Sequence, residues 1–124
     1  MRYTPWGKPD NSVQIVRGIT DYFTPSHGGL FVTVNAAKKY LRKPVLESDF
    51  LRNRLDAKAN GYWLEEDCDA AVALFELCYT AKERMAELYN GRKTVEELKA
   101  SFGGSIDRWN GWYKYERGAD GKAA

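Results

Sequence analysis

The sequence predicts an α+β fold: a small antiparallel β-sheet packed against a long α-helix, with additional short helices. Three observations predict it. β-branched and aromatic residues dominate residues 12–34, and Arg17-Gly18 and Pro25-Ser26-His27-Gly28-Gly29 punctuate them. Apolar residues then recur at helical spacing from about Glu65 to Tyr89. Beyond them, Thr94-x-x-Glu97 has the form of a capping box.

Taken in order, Ser12 to Val16 reads as a strand with Val13 and Ile15 on one side. Arg17-Gly18 turns the chain into a second strand, Ile19 to Thr24. The Pro25–Gly29 loop leads to the clearest strand, Leu30 to Val34, which completes a three-stranded meander. Asn35 is placed to cap a short helix, Ala36 to Arg42, that stops before Pro44. Ser48 is placed to cap another, Asp49 to Ala57, closed by Ala59-Asn60-Gly61.

The long helix, Glu65 to Tyr89, has Leu64, Cys68, Ala71, Phe75, Cys78 and Met85 along one face, and Asn90-Gly91 ends it. A helix opened by Thr94 is expected to stop at Gly103-Gly104. Asn110-Gly111 between Trp109 and Trp112 reads as a hairpin turn. It would let residues 111–116 join the N-terminal sheet. Trp6, Ile15, Ile19, Phe31, Val32, Val72, Phe75 and Leu88 are the expected core.

A chain of 124 residues with 44% hydrophobic content has the size and apolar content of one domain, residues 1–124. About 1–10 and 118–124 look weakly ordered. Two cysteines ten positions apart on one helix would lie ~15 Å apart, beyond disulfide reach. Free thiols fit a reducing cytoplasm. No signal-peptide or membrane-span pattern is present, so no membrane partner is expected.

The net charge of +2 hides an uneven distribution. Residues 1–46 carry seven basic and two acidic side chains, whereas residues 47–77 carry three basic and eight acidic. That contrast favours a charged partner, but the total is too small to demand nucleic acid.

The densest chemistry lies in Gly61-Tyr62-Trp63-Leu64-Glu65-Glu66-Asp67-Cys68-Asp69. The only histidine, His27, sits far upstream. Glu65, Glu66, Asp67, Cys68 and His27 are the candidate catalytic residues. Carboxylates at helical spacing suit a hard cation or proton transfer, and His27 is placed to activate Ser26 or Cys68. The structural alternative is simpler. Acids in a first helical turn offset the dipole at about 0.3–1 kcal/mol each, Cys68 falls on the apolar face, and His27 serves a turn.

Two segments are candidate binding surfaces. Lys38, Lys39, Arg42 and Lys43 form a basic run suited to phosphates, or to a solvated helix face. Trp109, Trp112, Tyr113 and Tyr115 suit a protein interface, base stacking, or completion of the core. There is no Gly-rich phosphate loop, no C-x-x-C and no H-E-x-x-H, so no cofactor and no metal site are expected.

Three segments in order carry a resemblance: Thr4-Pro5-Trp6-Gly7, Thr24-Pro25-Ser26-His27-Gly28-Gly29 and Trp63-Leu64-Glu65-Glu66-Asp67-Cys68-Asp69. Over roughly residues 4 to 77 the chain resembles a domain-of-unknown-function family of proteobacteria, their phages and other mobile elements. Leu64 and Ala70 depart from it, standing where that family is expected to have aromatic residues. Residues 90–124 carry no such resemblance. It implies no activity. By analogy it implies an accessory or counter-defence protein that binds a host protein.

The expected function is therefore protein–protein binding, with inhibition of a bacterial defence system as its specific form. The alternatives are a small hydrolase or metal-dependent enzyme using His27 with the Glu65–Asp69 cluster, and a nucleic-acid-binding module.

Overall fold

The β-rich first third folds as its alternation dictates. The computed structural model describes residues 3–113. Strand β1 spans Asn11–Val16, β2 Ile19–Phe23 and β3 Gly28–Thr33, and all pair antiparallel. Gly18 makes the first turn possible. Its φ is +89°, and a Cβ there would lie 2.7 Å from the Ala36 Cβ.

The chain then forms three short helices: α1 Val34–Tyr40, α2 Lys43–Leu46 and α3 Asp49–Arg52. Thr33 caps α1 rather than Asn35, its hydroxyl accepting from the Ala36 N–H at 3.0 Å. Ser48 caps α3 as expected, accepting from the Leu51 N–H at 3.1 Å. That helix does not reach Ala57. Arg54 turns its guanidinium onto the Phe50 carbonyl and Asp69, and the chain enters a two-residue strand, β4 Leu55–Asp56.

The largest correction concerns the acidic segment. Glu65 ends a strand, β5 Gly61–Glu65, and the helix expected from Glu65 begins only at Ala70. The strand pairs with β3 on one side and β4 on the other, so the sheet order is β1-β2-β3-β5-β4. Asn60, at φ 56°, provides the left-handed turn into it. Pairing along both edges outweighs the helical spacing of Leu64 with Cys68. Tyr62 and Trp63 also favour the extended form.

The single long helix is two. Helix α4 spans Ala70–Thr80 and α5 spans Lys82–Leu88. Ala81, at φ −144° and ψ 50°, breaks the path. Beside the break the Thr80 hydroxyl bonds the Tyr40 carbonyl at 2.9 Å and the Glu76 carbonyl at 3.1 Å. Asn90 and Gly91, both at positive φ, end α5 as expected.

Helix α6 runs Val95–Trp109 from a complete Thr94/Glu97 capping box. It passes through Gly103-Gly104 instead of stopping there. Leu98 and Ile106, fully buried one face apart by eight residues, hold it. Their burial exceeds the cost of about 1 kcal/mol per helical glycine. Asn110-Gly111 is no hairpin: Gly111–Tyr113 is a turn of 3-10 helix. Tyr115 and the rest of the strand expected after Tyr113 lie outside the described residues.

The architecture is thus α+β, a five-stranded antiparallel sheet with helices on one face. Ile15, Ile19, Leu30, Val32 and Leu64 supply the sheet side of the core, and Val72, Phe75, Leu77, Met85, Leu98 and Ile106 the helical side. Thr4 to Gly7 are held by the bonds described below. Among the described residues no helix is long and apolar enough to cross a membrane.

Candidate functional site

The opposite face of the sheet carries aromatic rings. Phe31 on β3 and Trp63 on β5 are register partners with ring centroids 4.6 Å apart. Tyr22 on β2 lies 5.9 Å from Trp63. Phe31 is buried yet stands apart from the helical core.

The N-terminal segment adds a fourth ring. Thr4 and Gly7 exchange backbone hydrogen bonds at 3.1 and 3.2 Å, and the Trp6 N–H donates to the Thr4 hydroxyl oxygen at 3.1 Å. This tight turn sets Trp6 edge-on against Trp63, centroids 5.7 Å apart and planes at 90°. Such pairs contribute about 0.5–1.5 kcal/mol beyond their burial. Trp6 also lies over Gly29, where a Cβ would collide with its ring and with the Leu64 carbonyl. The Trp63 indole N–H donates to Asp56 at 3.1 Å, which fixes that ring in turn.

His27 lies at the rim of this face. Thr24 shapes its loop: the Thr24 hydroxyl donates to the His27 carbonyl at 2.5 Å and accepts from the His27 N–H at 3.1 Å. The imidazole is exposed. Beyond it, Gly29 stands opposite Glu65, and the Glu66 N–H donates to the Gly28 carbonyl at 3.0 Å. The loop and the acidic segment therefore do meet. Strand pairing joins them, which the helical expectation for residues 65–69 missed.

The five acidic-cluster side chains have separate fates. Glu65 accepts from the Cys68 thiol at 3.5 Å. Glu66 and Asp67 are exposed. Asp69 forms a two-point ion pair with Arg54, at 2.8 and 3.2 Å. Burial, helped by the charge of Asp69 and the bond to Glu65, pushes the Cys68 thiol up to about 11. It stays protonated at neutral pH and is a poor nucleophile. Cys68 lies in the turn before α4, not on its apolar face, and both cysteines are free. Among the described residues, no three His, Cys, Asp or Glu side chains are grouped to hold a metal ion.

The binding candidates also divide. Lys38, Lys39 and Lys43 are exposed. Arg42 is not a free cation: its side chain and its backbone N–H all donate to Glu76. Tyr113 is fully buried and its hydroxyl bonds the same carboxylate. Both are structural. Trp109 is 60% exposed, and Trp112 is 43% exposed while leaning on Phe50.

Two features escaped the sequence reading. Glu76 is a wholly buried carboxylate inside α4, detectable as the one charge in Ala70–Thr80. Asp21 interrupts the inward alternation Ile19-x-Asp21-x-Phe23 of β2.

These features define an α+β protein with an ordered aromatic face on its sheet. The chain belongs to the family of the domain of unknown function DUF7007, whose model matches residues 1–120. The match extends well past the stretch legible from the three motifs and includes most of residues 90–124. No curated protein and no solved structure matches the chain.

Proposed function

We propose that the chain is a small accessory protein of a phage or mobile element that acts by binding a host protein in the bacterial cytoplasm, specifically to inhibit a defence system. The observation that supports binding is the meeting of Trp6, Gly29 and Trp63 on the helix-free side of the sheet. Their three segments, Thr4–Gly7, Thr24–Gly29 and Trp63–Asp69, lie far apart in sequence. They assemble one face, and His27 and Asp67, in two of those segments, are exposed. Aromatic anchors with a polar rim suit a protein interface.

The test uses immobilised protein and bacterial lysate at near-physiological salt. The wild type should retain a specific protein that an Asp67→Lys variant releases. Equal retention by both, or none by the wild type, sinks the proposal. The defence role is tested separately, by whether expression restores phage infection of a defended strain.

One observation favours catalysis instead: the backbone hydrogen bond from Glu66 to Gly28 joins the His27 loop to the acidic segment. Hydrolysis of nitrophenyl esters or phosphates, lost in His27→Ala, would support that alternative. Activity surviving in His27→Ala would remove it.

A further inference from the structure

On the helical side of the sheet, β1 and β2 part from α4 and α5 around a pocket of about 190 Å³. Its walls are apolar, with Val13 and Phe23 on the sheet side and Met85 and Leu88 on the helical side. Two polar side chains also line it, Asp21 and Tyr89. Val13 and Phe23 at its mouth are 40% and 38% exposed. Its volume falls below the roughly 300–1,000 Å³ of drug-sized ligand sites, so it suits one side chain.

Asp21 is the anomaly. It occupies an inward position of β2, opposite Val13 and Leu30. Among the described residues no hydrogen bond or ion pair partners its carboxylate. A half-buried charge without a partner costs stability, and such breaks of local pattern concentrate at functional positions. We propose that this pocket receives a lysine side chain from a protein partner, its aliphatic stem against Met85 and Leu88 and its ammonium on Asp21.

The electrostatics agree. Burial, with the nearby charge of Glu66, pushes the Asp21 carboxyl up to about 6. Burial pushes the Tyr89 hydroxyl up, with Cys78 and then Asp21 contributing. Glu66 is negative, and Arg84 on α5 is engaged by the Gln14 and Ile15 carbonyls and by Glu87, so an entering ammonium meets an unpartnered Asp21. The pocket lies on the opposite side of the sheet from Trp6 and Trp63. Its test therefore stands independently of the aromatic interface.

The experiment titrates the full chain with N-acetyl-lysine amide and with its neutral counterpart, N-acetyl-norleucine amide. Methyl NMR signals of Val13, Leu74, Met85 and Leu88 report binding. At pH 7.5 the lysine probe should bind about tenfold more tightly, as befits a charge-assisted contact. Asp21→Asn should abolish that preference while leaving the norleucine shifts and the fold unchanged. Lysine-probe affinity should rise from pH 5 to 7 as Asp21 ionises, with no such change for norleucine. Equal affinity for the two probes in the wild type overturns the proposal even if the variant fails to fold. So do shifts outside the pocket, or none up to the solubility limit.

Discussion

Trp6 packs at right angles to Trp63 over a glycine that leaves no room for a Cβ. The two rings come from a terminal turn and from a strand held in mid-sheet. Their contact turns the N-terminal segment into part of the sheet's second face.

Gly29→Ala should therefore destabilise the fold. A methyl group there meets the Trp6 ring and the Leu64 carbonyl, and the backbone carbonyl cannot withdraw cheaply. Overpacking of this kind costs about 1–3 kcal/mol. Urea unfolding followed by tryptophan fluorescence measures it. An unchanged midpoint would mean that Trp6 is free to lift away.

Arg42→Met should be more damaging, because it leaves Glu76 charged and fully buried. Breaking one side of such a pair costs about 3–5 kcal/mol. Tyr113→Phe removes a single bond to the same carboxylate and should cost about 1.5–3 kcal/mol. Denaturant midpoints of the two variants should fall in that order. The reverse order would show that water replaces the Arg42 guanidinium, whose side chain is 29% exposed.

Cys68 should resist alkylation. With its thiol pushed up to about 11 from 9.0, its thiolate fraction at pH 7.5 drops on the order of 100-fold. Iodoacetamide followed by peptide mass mapping should leave Cys68 unmodified long after a free cysteine has reacted. Modification at the rate of free cysteine would restore it as a candidate nucleophile.

Asp21 gives a pH dependence of unusual sign. Its carboxyl rises from 3.8 to about 6 on folding, so between those values the folded state binds more protons than the unfolded one. The contribution of Asp21 to stability is therefore greatest below pH 3.8. It falls as pH rises toward 6 and stays low above. Asp21→Asn should stabilise the protein at pH 8 by up to about 1 kcal/mol, a value discounted for partial exposure. The gain should disappear near pH 3.5. Paired urea titrations at the two pH values test this, and equal effects at both would refute it.

How much was legible follows from how local each signal was. The Gly18 turn and the β-branched runs around it specify a hairpin within a few residues. Thr94 and Glu97 satisfy each other's backbone donors one turn apart, and Asn90-Gly91 ends its helix with its own backbone angles. The acidic segment carried a real but ambiguous signal. Leu64 to Cys68 has helical spacing, while Tyr62 and Trp63 favour a strand, and nothing within that window arbitrates.

The sequence by itself determined the α+β class, the N-terminal meander and the Ser48 and Thr94 caps, because short-range sterics and hydrogen bonds encode them. Only the tertiary structure decided that Gly61–Glu65 enters the sheet between β3 and β4. That outcome rests on backbone pairing with strands distant in the chain. The same holds for Arg42 and Tyr113, which are the partners of Glu76, buried on α4. A carboxylate cut off from water must bond whatever donors the fold brings to it, and no local pattern names those donors in advance.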